Sequence, residues 1–338
     1  MNEFLKSILD GIYSLVGNYG WSIVLFTMLI RLVLMPFDYK SRVSMRKTTK
    51  LQPQINALQK KYAKDQEKLN QKMSELYRKE KINPLSSCLP MLLTLPILYA
   101  MFAAMRMIAN EQLIQQTFSI LQGHEPVLEG WLWVKNVWMP DSPFAAAWPS
   151  LDMLRQVPAD IWHKVLSAMP AETLQAVQQT VSSLTGYELT LESFAGNELQ
   201  SAISAIANAM TQMPGYVEQV STIPGFSFNL ILTTLNVVKG YNGFFILPIV
   251  SAVSQYLMTV LQPVTPTEGA NSSASTTGNF MKWFFPLFSL WICSTSNASF
   301  SIYWVTSNLI AMAQTYGINK YLDMKEKRTA TIGEGTVK

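Results

Sequence analysis

The chain has 338 residues, of which 49% are hydrophobic and only 14% carry a charged side chain. Soluble proteins have about a quarter charged residues, so this composition argues against a soluble protein and favours a membrane protein. The two cysteines and two histidines form no metal-ligand motif, and we expect neither a metal ion nor a cofactor.

The first predicted element is an amphipathic helix over residues 1–17. Phe4, Ile8, Ile12 and Leu15 share one face of this helix. Because it has one lysine, no long apolar run and no small-residue cleavage site, it is a poor signal peptide. We expect it to be retained and to lie on a membrane surface.

Five apolar runs approach the roughly 20 residues that a helix needs to cross a bilayer. They predict an all-α, polytopic membrane bundle of five transmembrane helices. The predicted spans are residues 18–38, 85–107, 243–262, 280–296 and 297–318. The last two are separated by a short polar turn, which predicts a tight helical hairpin.

One further apolar stretch, residues 225–238, is only 14 residues long. Counting it as a span would also place the basic C-terminal tail outside the cell. We therefore interpret it as an interfacial or buried helix that leads into the third span.

The distribution of charge predicts the orientation. Lys and Arg outnumber Asp and Glu by 13 to 4 in residues 39–84 and by 5 to 3 in the tail, residues 319–338, whereas residues 108–242 carry 4 basic and 11 acidic residues. By the positive-inside rule, residues 39–84, the loop 263–279 and the tail are cytoplasmic. The N-terminus and residues 108–242 are then outside.

Residues 39–84 contain two charged segments with narrow apolar stripes, which predict a cytoplasmic helical hairpin. The stripes are Leu51, Ile55, Leu58 and Tyr62 in the first segment and Leu69, Met73 and Leu76 in the second. The alternative is a solvated charged linker.

The outer loop contains an Ala-, Ser- and Gln-rich segment, residues 142–240, with helical spacing. It predicts a helical insert with too little apolar surface for a large core. We expect the insert to pack on the membrane surface or on a partner.

Arg31 lies inside the first apolar run, where a charge costs between about 2.5 and well over 10 kcal/mol unless it is solvated. In one interpretation it reaches the cytoplasmic interface or binds Asp38. In the other, Thr27, Arg31 and Asp38 line a wet cavity. Polar stripes on other predicted spans favour the cavity: Ser251, Ser254 and Gln255 on the third, and Ser307 and Gln314 on the fifth.

Enzyme motifs are missing from the sequence. Both histidines fall in the outer loop, and the chain has no HExxH sequence and no GxxxxGK phosphate loop. We therefore predict no catalytic residues and no enzymatic activity.

Six stretches of the chain carry motifs of a known family. They are GNYGWSIVLFTMLIRLVLMPF at 17–37, LQPQINALQKKY at 51–62, KINPLSSCLPMLLTLPILYAMFAAM at 81–105, WLWVKNVWMPD at 131–141, FFILPIVSAVSQYL at 244–257 and FSIYWVTSNLIAMAQTYGINKYL at 300–322. In sequence and order they resemble the YidC/Oxa/Alb membrane protein insertases, over about 230 residues.

The resemblance implies a hydrophilic groove that opens to the cytoplasm and to lipid and is closed to the outside. Arg31 matches the family's groove arginine, and Trp304, in the YWVTSN motif, matches an aromatic residue that faces the same groove. On the third span, Ser254 or Gln255 corresponds to the family's polar groove residue. Together with the residues of the polar stripes, the candidate substrate-groove residues are Arg31, Thr27, Ser254, Gln255, Trp304, Ser307 and Gln314.

The resemblance also implies a function, which is to insert and fold small or single-span proteins in a bacterial plasma membrane, alone or with the Sec translocon. The implied partners are nascent membrane proteins, membrane lipids, the Sec translocon and the ribosome, without sequence-specific nucleic-acid binding.

Two features depart from the family pattern: the segment 142–240, and a tail without the long basic extension that helps some members hold ribosomes. The alternatives are a small-solute transporter, against which the lack of an internal repeat argues, and a scaffold subunit of a membrane complex.

Overall fold

The computed structural model describes residues 2–80, 89–194, 196–229, 234–261 and 273–335, which are mostly helical. The helices are α1 (Asn2–Val16), α2 (Tyr19–Lys61), α3 (Gln66–Lys79), α4 (Leu89–Leu121), α5 (Leu151–Leu154), α6 (Ala159–Ala168), α7 (Ala171–Thr185), α8 (Leu199–Met210), α9 (Pro214–Val220), α10 (Ile246–Leu261), α11 (Ser273–Thr295) and α12 (Ala298–Gly335). Strands β1 (Thr222–Asn229) and β2 (Thr234–Val238) pair antiparallel.

The chain divides into two compact units. The first unit comprises Met1–Phe26, Ala100–Val250 and Leu290–Tyr303, and the second comprises Thr27–Tyr99, Ser251–Ser289 and Trp304–Lys338. Five helices, α2, α4, α10, α11 and α12, contribute residues to both.

The first unit is built around a large apolar core. The second half of α4 supplies Ile114 and Phe118, while the insert supplies Trp162, Phe194 and Ile206, and all five are almost completely buried. Our expectation that residues 142–240 lack a large core was wrong. Alanines on α8 let neighbouring helices approach closely, and α4, outside the insert, contributes five buried residues to the core.

Helix α1 is held to the rest of the first unit by apolar contacts, hydrogen bonds and ion pairs. Leu9 is completely buried. The Lys6 ammonium lies 2.9 Å from the Asp10 carboxylate and 3.3 Å from Glu111 of α4, and Glu111 also binds Lys164 of α6 at 2.9 Å. These contacts join α1 to both α4 and the insert.

Residues 225–229 and 234–238 belong to two antiparallel strands, so our prediction of an interfacial or buried helix over residues 225–238 was wrong. The segment is rich in Phe, Thr, Val and Leu, which favour strands, and Gly225 has a positive φ of 84°. A short apolar run does not distinguish a strand from a helix by its periodicity. The described residues are therefore mostly helical, but the all-α prediction does not hold for these two strands.

Asp141 is completely buried and fixes the start of α10 in the first unit. Its carboxylate accepts hydrogen bonds from the backbone N–H groups of Phe245 (3.2 Å) and Leu247 (2.6 Å) and from the Trp133 indole (3.1 Å). Gly243 packs so closely that a Cβ at this position would overlap the carboxylate. The carboxylate at a helix N-terminus also interacts favourably with the helix dipole.

We expect Asp141→Ala to lower the free energy of unfolding of the first unit by about 3 kcal/mol, because it leaves one buried and two half-buried donors without this acceptor. Asp141→Asn keeps one acceptor oxygen and should cost less. Thermal unfolding in detergent measures the effect. Asp152, whose side chain is 89% exposed, is the control: Asp152→Ala should change stability by no more than about 0.5 kcal/mol. Equal effects of the two alanine variants would contradict the capping role.

In the second unit, α2 and α3 pack through a narrow apolar seam. Leu51, Ile55 and Met73 are buried, and Leu58, Leu69, Leu76 and Tyr77 pack against them. Six of these seven residues belong to the stripes that predicted the hairpin, whereas Tyr62 lies outside the seam. Because α2 continues unbroken from Tyr19 to Lys61, the first arm of the hairpin is a direct extension of the first apolar run, without a break at residue 38.

Polar contacts join α2 to α12 along their lengths. The Arg42 guanidinium donates to the Thr315 hydroxyl at 2.6 Å. Farther along, Arg46 lies 2.7 Å from the Asp323 carboxylate, and Lys50 lies 3.0 Å from Glu326. Since the paired positions advance in the same direction on both helices, α2 and α12 run parallel.

The observed helices differ from the predicted spans mainly at their ends. Helix α4 extends to Leu121, α11 begins at Ser273 inside the predicted loop, and α12 continues through the predicted tail to Gly335. Within the described part of the chain, α2 is the one helix that is long and apolar enough to cross a membrane by length and composition, and α10 is a shorter apolar helix.

Candidate functional site

Three of the candidate groove residues are in direct contact in the second unit. Arg31 of α2 is half-buried, and its Nε and Nη2 atoms donate to the hydroxyl of Ser307 on α12 at 3.0 and 2.5 Å. The Gln314 side-chain amide donates to the backbone carbonyl of Arg31 at 2.9 Å. Ser307 and Gln314 are two turns apart on α12, so they hold the side chain and the backbone of one residue.

Two further candidates, Ser254 and Gln255 of α10, bind a neighbouring residue of α12. The Asn308 side-chain amide donates to the Ser254 hydroxyl at 3.1 Å and to the Gln255 side-chain carbonyl at 3.2 Å. Asn308 directly follows Ser307 in the chain, so the two groups of contacts lie next to each other on α12.

The polar contacts continue from α10 to α11. The hydroxyl of Ser289 donates to that of Ser251 at 3.1 Å, and the Ser251 hydroxyl contacts the Ser289 carbonyl at 3.3 Å; both residues are completely buried. Ser254 also donates to the Ser251 carbonyl at 2.9 Å. We name these two neighbouring groups of residues together the polar belt: Arg31, Ser251, Ser254, Gln255, Ser289, Ser307, Asn308 and Gln314.

The two remaining candidates lie beside the polar belt. Thr27 is buried one helical turn before Arg31, and Trp304 is half-buried about one turn before Ser307. Sequence reasoning missed Asn308 and Ser289. Asn308 belongs to the YWVTSN motif and follows a residue that we did select, whereas Ser289 is a single polar residue in an apolar run and gave no signal.

The polar belt surrounds a permanent positive charge with mostly neutral partners. Ser307 offers Arg31 a hydroxyl, which stabilises the guanidinium without cancelling its charge. Asp38 lies near enough to interact electrostatically with both Arg31 and Arg42. Its carboxylate is therefore shared between the two cations.

The surfaces next to the polar belt are strongly apolar. On α2, Leu29, Leu32 and Val33 are between 50% and 65% exposed. Exposed apolar residues of this number on one helix indicate a surface that faces lipid or protein rather than water. The belt is thus a polar strip inside helices whose outer surfaces suit a membrane.

A family model described as 60Kd inner membrane protein matches residues 11–213 and 199–327. The two matches together extend over most of the chain.

Curated relatives that match carry the name membrane protein insertase YidC. The relative from Fusobacterium nucleatum subsp. nucleatum is 44% identical over 106 residues, which is 31% of this chain and 52% of the relative. The relative from Caldanaerobacter subterraneus subsp. tengcongensis is 45% identical over 103 residues, or 30% and 50%. The relative from Anaeromyxobacter dehalogenans is 36% identical over 172 residues, which is 51% of this chain and 28% of the relative.

The matched regions thus span from 28% to 52% of the length of these relatives. The family resemblance of the sequence motifs is confirmed by both comparisons. The chain belongs to the 60Kd inner membrane protein family, which is the YidC/Oxa family that its motifs resemble.

Proposed function

We propose that this chain is a membrane protein insertase that moves segments of other proteins into the bilayer without any covalent reaction. The observation that carries the proposal is the contact of Arg31 with Ser307 and Gln314 in helices with exposed apolar surfaces. The name of the curated relatives supports the same function.

The proposal includes a topology of five spans, formed by α2, α4, α10, α11 and α12, in a bacterial plasma membrane. The excess of basic residues in segment 39–84 supports a cytoplasmic position for the α2–α3 hairpin and the C-terminus. The acidic balance of residues 108–242 supports an extracytoplasmic position for the insert and the N-terminus.

The proposed mechanism lowers the free energy needed to desolvate a polar segment. In hydrocarbon, each unsatisfied backbone or side-chain polar group costs several kcal/mol. Hydroxyl and amide groups of the polar belt, together with water in a groove beside it, replace part of that lost solvation. Arg31 attracts acidic residues of the incoming segment, and the apolar part of the substrate leaves sideways into lipid.

We infer that the substrates are small or single-span membrane proteins whose translocated segments carry few charges. The Sec translocon and the ribosome are proposed partners. The hairpin offers the ribosome a basic surface, since segment 39–84 carries 13 Lys and Arg residues.

The experiment is reconstitution of the full chain in liposomes with a single-span test protein and no nucleotide. Insertion is measured as protection of the translocated segment from added protease. We expect protection above that of protein-free liposomes. Flux of a small solute without insertion would contradict the proposal and indicate a transporter. The absence of both activities would also contradict it and would favour a scaffold subunit.

Replacing residues 51–79 with a short Gly/Ser linker should reduce insertion several-fold while the spans still assemble. The seam residues Leu51, Ile55 and Met73 pack mainly on one another. The contacts of Arg46 and Lys50 with α12 remain in the variant. Size-exclusion chromatography and thermal unfolding in detergent test the assembly, and the liposome assay tests the insertion.

The matched control for this deletion is Met73→Asp, which keeps the length of the hairpin but places a charge in its seam. It should reproduce the loss of insertion, because a buried unpaired carboxylate is unfavourable and opens the hairpin. Unfolding of the whole chain in the linker variant would show instead that the hairpin is a structural part of the bundle.

A further inference from the structure

A cavity of about 540 Å³ lies between α2 and α12 in the second unit. Its volume is within the range of about 300–1,000 Å³ that is typical of small-molecule sites. The cavity borders the polar belt at Gln314 and extends along both helices beyond it. It is lined by Met35, Pro36, Tyr39 and Lys40 of α2 and by Gln314, Gly317, Ile318 and Tyr321 of α12.

Gly317 forms an open part of the cavity wall. A Cβ added to Gly317 would meet no atom within 4 Å, so there is open space at this position. Glycine in the interior of a helix destabilises it relative to alanine. The open space at Gly317 therefore comes with a small loss of helix stability in α12.

The lining selects for an apolar chain rather than a polar solute. Met35, Pro36 and Ile318 are apolar, and Tyr39 and Tyr321 present their rings to each other at a centroid distance of 6.2 Å. Apolar walls favour an apolar ligand, because its transfer from water into the cavity lowers the free energy. Lys40 is the charged residue among the lining residues.

Lys40 gives the lining of the cavity a positive charge, and two further lysines lie near it on the same two helices. Lys40 is exposed, and Lys47 lies on the same face of α2 about two turns later. On α12, the exposed Lys320 is one turn from Gly317. These lysines would meet an anionic group at the rim.

The acidic residues nearby are already engaged by other basic residues. Asp323 binds Arg46 at 2.7 Å, and Glu326 binds Lys50 at 3.0 Å. The Asp38 carboxylate interacts electrostatically with Arg31 and Arg42. The charge that remains at the rim is that of the lysines, which favours an anionic ligand.

We propose that this cavity binds an anionic phospholipid, with one acyl chain between α2 and α12 and the phosphate group at Lys40. The inference rests on the topology under the proposed function, which puts Lys40 at the cytoplasmic surface of the membrane. Basic residues at the cytoplasmic ends of spanning helices bind the headgroups of anionic lipids. The bound acyl chain covers the apolar wall beside the polar belt and stabilises the parallel packing of α2 and α12.

The test measures lipid retention by the full chain in detergent. Equal amounts of phosphatidylglycerol and phosphatidylcholine with identical acyl chains are added, and the lipids that remain bound are counted by native mass spectrometry. We expect preferential retention of phosphatidylglycerol by the unmodified chain. Gly317→Leu, which fills the cavity, should reduce that retention by about tenfold or more.

Lys40→Gln should instead remove the preference between the two lipids while the chain still retains lipid. The matched controls are Gly11→Leu, at another open helical glycine, and Lys60→Gln, at another exposed lysine of α2. Neither control should change retention. Circular dichroism verifies that each variant is helical, and if Gly317→Leu does not fold, Lys40→Gln decides the question.

Equal retention of both lipids by the unmodified chain, or unchanged retention in Gly317→Leu, would overturn the proposal. The same results would be expected if the cavity received an apolar segment of a substrate protein. The measurement does not depend on insertion, so a chain that retains phosphatidylglycerol selectively but fails in the liposome assay contradicts the proposed function and not the lipid site.

Discussion

Arg31→Ala should reduce insertion by about ten- to a hundredfold, because a charged hydrogen-bonding group contributes about 1.5–3 kcal/mol to the stabilisation of its partner. In the proposed mechanism, that contribution is made to the polar segment as it crosses the membrane. The insertion rate in liposomes measures the effect, with several single-span substrates that differ in the charge of their translocated segments. Substrates with acidic translocated residues should be affected most.

Arg31→Lys distinguishes the charge of Arg31 from its geometry. Lysine keeps the positive charge but not the planar guanidinium that makes two contacts with Ser307. Near-normal insertion by this variant would show that the charge is what matters. A loss as large as that of Arg31→Ala would assign the effect to the contacts on α12.

Two control variants separate Arg31 from its surroundings. Ser307→Ala removes the hydroxyl that accepts from Arg31 but keeps the charge, so most of the insertion activity should remain. Arg42→Ala removes a second arginine of α2, which binds Thr315 outside the polar belt, and should also spare insertion. Full activity of Arg31→Ala with every substrate, or an equal loss in Arg42→Ala, would contradict the role of Arg31.

Trp162→Ala should lower the free energy of unfolding of the first unit by about 3–5 kcal/mol, the usual cost of removing a large buried aromatic side chain. Trp162 is completely buried, and its ring stacks on Phe194 at a centroid distance of 5.0 Å. It also lies 6.4 Å from the ring of Phe118 on α4. Its loss therefore opens a cavity between the insert and α4.

Trp162→Phe should cost much less than Trp162→Ala. The indole N–H of Trp162 has no hydrogen-bond acceptor among the described residues, so phenylalanine keeps most of the packing and loses no hydrogen bond. Limited proteolysis and thermal unfolding in detergent measure both variants. Phe226 of β1 is 56% exposed, and Phe226→Ala is the matched control with an expected change within about 0.5 kcal/mol. If Trp162→Ala has no larger effect than this control, the insert has no cooperative core.

The core around Trp162 also changes what we expect from removing the insert. A linker in place of residues 142–240 exposes Ile114 and Phe118 of α4, which are completely buried in the intact chain. We expected no large core in the insert, because its Ala-, Ser- and Gln-rich helices have little apolar surface. Short stripes on several helices nevertheless make a large core when small residues allow close packing and a longer helix completes it.

Strands β1 and β2, residues 222–229 and 234–238, illustrate a limit of sequence patterns. Their run of apolar and β-branched residues was visible, but a run of that length is compatible with either a strand or a buried helix. The pairing of Phe228 with Leu235 and of Asn229 with Thr234 shows that β1 and β2 are antiparallel strands. Such pairs are stabilised across strands and not within one, so no local pattern reveals them.

The sequence by itself determined the apolar runs of the long helices, the uneven distribution of charge, the seam of the α2–α3 hairpin and the unusual position of Arg31. Each of these depends on composition or on periodicity within one segment, where hydrophobic faces and charge excess can be read directly. Only the tertiary structure decided which faces meet. Arg31 and Ser307 are 276 residues apart in the chain, and Asn308 joins the polar belt because packing brings α10 and α12 together. Contacts between distant segments depend on the packing of the whole unit, so no single segment specifies them.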